Sequence, residues 1–196
     1  MTKAARTRLA PEKRKKQLLD TAGEMIVREG LQNFTMEALA REAGVTTPLV
    51  YNYFPNRPEL LHALLTQVYR AFNAQIRSEI QQAQSFEEIV FVFIKSNFDH
   101  LSAGNILPIL QSQPEIFIGI RDEQRRNIRQ TAEYLVGITA KSFQLTIAEA
   151  ELVTTMSSGA SMAAAQYAAR LDFDQKETID LAVTYVLAGM KAISER

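Results

Sequence analysis

Apolar and polar positions alternate along the chain with a helical period almost throughout. Leu61, Leu64, Leu65, Val68, Phe72 and Ile76 share one face, as do Ile179, Ala182, Val183, Val186, Leu187, Met190 and Ile193, so each set predicts the buried stripe of an amphipathic helix. From about Gly119 to Phe143 the same period sets Ile128, Ala132, Leu135, Val136, Thr139 and Phe143 opposite Arg121, Arg125 and Arg129. Start signals stand at the right places. Asn56-x-x-Glu59, Ser85-x-x-Glu88, Thr146-x-x-Glu149 and Asp174-x-x-Glu177 have the form in which a cap oxygen takes an orphan N–H while a carboxylate reaches back. Only Ile89 to Ile94, rich in β-branched and aromatic residues, has the look of a strand, but no hairpin or crossover partner lies nearby, so a helix buried on most sides is expected. The fold class is therefore all-α.

The first sixty residues have a finer grain. Pro11 suits the first position of a helix whose face is Leu18, Ala22, Met25 and Ile26, and Gly30 stops it. A short helix after Thr35 turns Met36, Leu39 and Ala40 inward and ends near Gly44. A third opens at Thr47-Pro48, with Thr47 read as the cap and Pro48 as the first helical residue, and ends before Phe54-Pro55. Short helix, glycine turn, short helix is the geometry of a helix-turn-helix that reads DNA.

Composition narrows the chemistry. The chain has no cysteine and only two histidines, so disulfides and thiolate metal centres are out, and a reducing cytoplasm is the expected compartment. No apolar run approaches the ~18 residues of a membrane span, and the basic N-terminus is not followed by the apolar core of a signal peptide. The 22 basic and 22 acidic residues cancel, but not locally. Residues 1–60 carry 10 basic and 7 acidic side chains and residues 61–196 carry 12 and 15, so the halves stand at +3 and −3. Most of the excess lies in residues 1–16, where Lys3, Arg6, Arg8, Lys13, Arg14, Lys15 and Lys16 face only Glu12. Any attraction to nucleic acid is thus local. No phosphate-binding glycine loop, nucleophile elbow or zinc-binding His-Glu-x-x-His occurs, and His62 and His100 sit in no metal-binding pattern. Catalytic residues, metal sites and cofactors are therefore expected to be none.

Gly30, Thr35, Ala40, Ala43-Gly44-Val45-Thr46, Tyr51-Asn-Tyr53-Phe54 and Arg57-Pro-Glu-Leu-Leu61 together resemble the N-terminal domain of the TetR family of bacterial transcriptional regulators. The resemblance spans residues 12 to 65 and departs from the usual pattern at Arg57, where lysine is commoner. It implies a DNA-binding domain at 1–56 with a basic arm at 1–10, and a helical effector-binding and dimerisation domain at 57–196. Carried over residue by residue, it assigns DNA contact to Thr35, Thr46, Thr47, Pro48, Leu49, Tyr51, Asn52, Tyr53 and Arg57. Leu49 suits a thymine methyl and Asn52 an adenine edge; the tyrosines, threonines and Arg57 suit phosphates, helped by the free N–H groups where the third helix begins.

The same resemblance implies a homodimer joined through the last two helices, whose small residues permit close approach. Gly159, Ala160, Ala163, Ala164, Val183, Val186 and Met190 are the expected interface. It implies an effector cavity as well, for which Phe72, Phe98, Ile109, Phe117, Tyr134, Met156 and Tyr167 are the expected wall, with Asn97, Gln111, Gln113 and Gln166 as polar handles; the effector is then a small hydrophobic or aromatic molecule. The expected function is transcription regulation by a cytoplasmic repressor that releases an inverted-repeat operator when its effector binds. Two alternatives stand beside it: a DNA-binding protein of this fold with no small-molecule effector, and a helical small-molecule binder or enzyme.

Overall fold

The computed structural model describes residues 9–101, 105–113, 116, 121–171 and 173–195. Among these residues every regular element is helical: α1 (Pro11–Glu29), a 3₁₀ turn (Leu31–Asn33), α2 (Met36–Glu42), α3 (Thr47–Tyr53), α4 (Arg57–Gln82), α5 (Phe86–Leu101), α6 (Ile106–Gln111), α7 (Arg121–Phe143), α8 (Ile147–Leu171) and α9 (Gln175–Ser194). Residues 1–8 of the basic arm and Phe117, assigned above to the effector wall, lie outside the described residues. The chain forms two compact units, Met1–Val68 with Ile109–Gly119, and Tyr69–Pro108 with Ile120–Arg196. The expected boundary at 56 and 57 is where α4 begins. Packing moves the division further along that helix, because Leu60, Leu61, Leu64 and Leu65 are all essentially inaccessible in the first unit.

In the first unit α1 buries Leu18, Leu19, Ala22, Met25 and Ile26. It stops at Gly30, whose φ of +83° places it in the region that L side chains avoid, with its N–H on the carbonyl of Ile26 at 2.9 Å. Thr35 caps α2 by accepting from the N–H of Ala38 at 3.1 Å. At the other end of α2, Gly44 takes φ +65°, its N–H meets Arg41 O at 3.2 Å and the N–H of Val45 meets Ala40 O at 2.9 Å, the paired bonds of a Schellman stop. This sharp exit delivers α3. Its cap is Thr46 and not Thr47, with extended backbone and no side-chain cap bond, so the proline falls one place deeper than the spacing suggested. Proline tolerates either place, since the first N–H groups of a helix have no partner to lose.

In the second unit the capping signals are made as bonds. Glu88 N–H reaches Ser85 Oγ at 3.1 Å, and Glu177 N–H reaches Asp174 Oδ1 at 2.8 Å. Thr146 and Glu149 form the reciprocal box, at 3.3 Å from the Glu149 N–H to Thr146 Oγ1 and 2.9 Å from the Thr146 N–H to Glu149 Oε2. The apolar run at 89–94 is helical, inside α5, with Val90, Ile94 and Phe98 buried at intervals of four. They meet Val153, Ala165 and Ala168 of α8 and Ile179, Ala182, Val186 and Met190 of α9 in one core. Among the described residues no helix is long and apolar enough to cross a membrane.

Candidate nucleic-acid interface and effector cavity

The tight turn at Gly44 fixes α3 against α2, and within α3 only Val50 is fully buried. One fully buried residue on a seven-residue helix leaves much of its surface in reach of solvent. Thr46, Pro48, Tyr51 and Asn52 are exposed, while Thr47, Leu49 and Tyr53 are half-buried. Eight of the nine residues expected to touch DNA thus lie on α3, at its cap or at the neighbouring cap Thr35, and none of the eight is in the core. The hydroxyl of Thr46 makes no capping bond, unlike that of Thr35.

Two side chains are committed in ways that spacing did not foretell. Tyr51 Oη lies 3.3 Å from a carboxylate oxygen of Glu37 on α2, and partial desolvation, followed by that negative charge, pushes its phenol above the usual value. Glu37 therefore belongs to the interface region, though nothing in a separation of 14 residues signals it. Arg57 is turned inward: Nη2 donates to Leu31 O at 2.7 Å, Nε donates to Phe34 O at 3.2 Å, and the guanidinium stands 5.9 Å from the Phe34 ring. The residue assigned to the DNA backbone is first of all a tie between the start of α4 and the 3₁₀ turn. Nη1 takes no part in these bonds. Lys15, from the basic stretch, lies 6.0 Å from the ring of Phe54.

In the second unit a cavity of about 1060 Å³ opens among α4, α5, α7 and α8. Ile76 and Ile80, Phe93 and Asn97, Leu135 and Thr154 represent its four walls. Of the expected effector wall, among the described residues only Tyr134 lines it, with Asn97 the one expected polar handle present. Phe98 is absorbed into the helical core at 4% exposure. Phe72 instead faces His100, with ring centroids 5.9 Å apart. Ile109 falls in the first unit, and Met156 and Tyr167 are 59% and 58% exposed. The core takes Phe98, and the cavity keeps a mixed wall that includes Phe93, Arg77, Arg129, Glu133 and Glu151. Beside it Arg70 and Glu123 form a two-pronged ion pair, both N···O distances 2.9 Å, which holds the Glu123 carboxyl below its usual range.

Met156 and Tyr167 belong to a different feature. On α8, Leu152, Met156, Gly159, Ala163 and Tyr167 are all exposed, and on α9 so are Leu181, Tyr185, Ala188 and Ala192. The α9 run steps four, three, four and the α8 run four, three, four, four, the spacing of a helix-packing seam. Gly159 and Ala163 of the expected interface fall on this seam. Val186 and Met190 do not: they are 5% and 4% exposed, in their own core, and Ala160, Ala164 and Val183 are half-buried. Among the described residues no group of three or more His, Asp or Glu side chains is placed to hold a metal ion.

A helix-turn-helix unit carrying an outward second helix, followed by a helical unit with a cavity, defines a class of regulator-like folds. The model for bacterial regulatory proteins of the tetR family matches residues 18–64, the segment that holds the helix-turn-helix. The chain is 40% identical over 73 residues to the HTH-type transcriptional regulator LuxR of Vibrio harveyi, covering 37% of this chain and 36% of that protein. The chain spans about a third to a half of the length of the curated relatives it matches, and those relatives are regulators rather than enzymes. Its fold is similar over 95% of its length to a transcriptional regulator from Pseudomonas aeruginosa, with 94% of that chain covered, TM-score 0.66 and 20% identity. It is also similar to FadR of Bacillus subtilis in complex with stearoyl-CoA, at TM-score 0.63 and 19% identity over 89% of this chain and 98% of that one.

Proposed function

We propose that this protein is a transcriptional repressor that binds an inverted-repeat operator as a homodimer and releases it when a small, largely apolar molecule enters the cavity of the second unit. The observation that carries the reading is α3, with Val50 its one fully buried residue and Pro48, Tyr51 and Asn52 exposed, inside the segment that the family model matches. An isolated α-helix of this kind suits the major groove of B-DNA, and cations at the start of α1 supply the sequence-independent attraction. The apolar seam on α8 and α9 supports the second copy, because an exposed 4-3-4 stripe is buried by self-association. The cavity supports the effector, its size lying at the upper end of the ~300–1,000 Å³ typical of ligand sites. FadR, whose structure holds stearoyl-CoA, is a precedent for a small-molecule ligand on this fold.

Helix α4 is continuous from Arg57 to Gln82 and so joins the reading unit covalently to one wall of the cavity. A ligand that favours one placement of α4 changes the fit to DNA, and the coupling is reciprocal: a hundredfold loss of DNA affinity requires ligand binding weaker by about 2.7 kcal/mol on the DNA-bound form. The test is selection of duplexes from a randomised pool, followed by titration of the selected site. Enrichment of an inverted repeat bound by two copies is expected. Enrichment of no sequence, at salt where the protein is folded, refutes the reading.

A further inference from the structure

Threonines inside helices usually satisfy their hydroxyls on the carbonyl four residues back, and here Thr66, Thr155, Thr178 and Thr184 do so at 2.7–2.9 Å. Thr154 does not. Its Oγ1 is buried and has no protein partner, alone in this respect among the described side chains. Its position is as telling as its lack of a partner. Thr154, Phe93 and Leu135 line both the large cavity and a small annex of about 30 Å³ behind it. The other annex walls include Val90, Ile94, Val186 and Met190. A space of that size admits about one water or one methyl group.

The geometry points to an effector of a particular chemistry, an apolar molecule whose inner end carries one uncharged oxygen with no more than a methyl group beyond it. A turn of the Thr154 side chain brings its hydroxyl, inaccessible in this structure, to the cavity, where the oxygen bonds to it and the methyl enters the annex. The inference rests on the reading of this cavity as the effector site and specifies what that site selects. An anionic oxygen fits poorly. No cation lines the annex, whose polar wall residues are Thr139, Thr154 and Ser157, neutral hydroxyls are a poor replacement for the hydration of a carboxylate, and the charges on the wider cavity wall, Arg77 and Arg129 against Glu133 and Glu151, cancel. A hydrocarbon leaves the hydroxyl without a partner. A ketone or ester carbonyl accepts from Oγ1 and removes that penalty, which is how a buried polar group discriminates between ligands of equal shape.

The experiment uses the full chain and three probes of one shape: 2-acetylnaphthalene, 2-ethylnaphthalene and 2-naphthoate, measured by equilibrium dialysis. The wild type is expected to bind the ketone about tenfold more tightly than either of the others. Thr154→Val, close in shape but without the hydroxyl, should bind ketone and hydrocarbon equally, and Thr154→Ser should keep the preference. A second readout needs no ligand. If the hydroxyl is an orphan, Thr154→Val should raise the melting temperature of the unliganded protein by about 2–4 °C. A lowered melting temperature means that the hydroxyl is already satisfied, by a buried water, and overturns the inference. Equal binding of ketone and hydrocarbon by the wild type, or tighter binding of the naphthoate, overturns it while leaving the cavity as an effector site. If none of the three binds, that site assignment fails, and the inference with it.

Discussion

Replacing Arg57 by alanine separates two roles that one side chain cannot fill equally. The structure spends two of its donors on Leu31 O and Phe34 O, at 2.7 and 3.2 Å, and stacks the guanidinium on Phe34 at 5.9 Å. Hydrogen bonds from a charged donor contribute roughly 1.5–3 kcal/mol each when dry, and a cation over an aromatic ring roughly 0.5–1 kcal/mol at an exposed site. Arg57 is half-buried, so water recovers part of this, and the three contacts share one side chain and do not add. A loss of about 2–3 kcal/mol for Arg57→Ala is expected. Arg57→Lys, whose compact ammonium reaches one carbonyl and loses the planar fork, should cost about 1 kcal/mol. Hydrogen exchange resolved by peptide locates the effect. Amides of α1 and of residues 31–34 should lose protection, while the core of α5, α8 and α9 should not. If Arg57→Ala leaves exchange unchanged and instead flattens the salt dependence of DNA binding by about one phosphate contact, Arg57 serves DNA and the tie is incidental.

The backbone makes a paired prediction of opposite sign. Gly44 and Gln144 both occupy the left-handed region, at φ +65° and +53°, so Gly44→Ala should destabilise by about 1 kcal/mol and Gln144→Gly should stabilise by a similar amount in urea unfolding. Introducing charge on the seam, as Leu181→Glu or Tyr185→Glu, should yield folded monomers by sedimentation, because both side chains are about 70% exposed in the single chain; dimers that survive both changes exclude the seam. The Arg70–Glu123 pair lowers the folded-state pKa of the carboxyl. Its stabilisation is therefore present above the ordinary carboxylate range and lost as pH falls through the folded value. Wild type and Glu123→Gln should differ in melting temperature at neutral pH and converge on acidification.

Local signals were legible because they act over a few residues. The cap at Asp174, the reciprocal box of Thr146 and Glu149, and the stops at Gly30 and Gly44 depend only on neighbours in sequence, and each is made as expected. The capping threonine of α3 slipped by one, because Thr46 and Thr47 are chemically equal and proline is tolerated in either of the first turn's places. The larger misses concern which way an apolar face turns. On α9 the stripe of Ile179, Ala182, Val186 and Met190 reads as buried, and it is the core set; the period does not say whether a buried stripe packs within its own unit or against a second copy, so Val186 and Met190 were also expected at the interface. The cavity was harder still. Its walls come from four helices, and of the aromatic residues that composition offers as a cage Phe98 is taken by the core while Tyr167 stays exposed. What remains to line the opening is mixed in polarity and has no periodicity to betray it. Glu37 was missed and the inward bonds of Arg57 were not foreseen for a related reason, since the partners lie 14 and 23–26 residues away.

The claim that the exposed face of α3 reads duplex DNA is tested most directly at Asn52, which is exposed. The measurement is a competition titration of wild type and Asn52→Ala against the selected inverted repeat and against copies altered at one base pair in each half-site, at fixed salt. The wild type should lose about 1–3 kcal/mol per mismatched pair. Asn52→Ala should lose its preference at one symmetric position, keep it at the others, and retain the wild-type salt slope. Full discrimination at every position by Asn52→Ala, or equal binding of selected and scrambled duplexes by the wild type, contradicts the account.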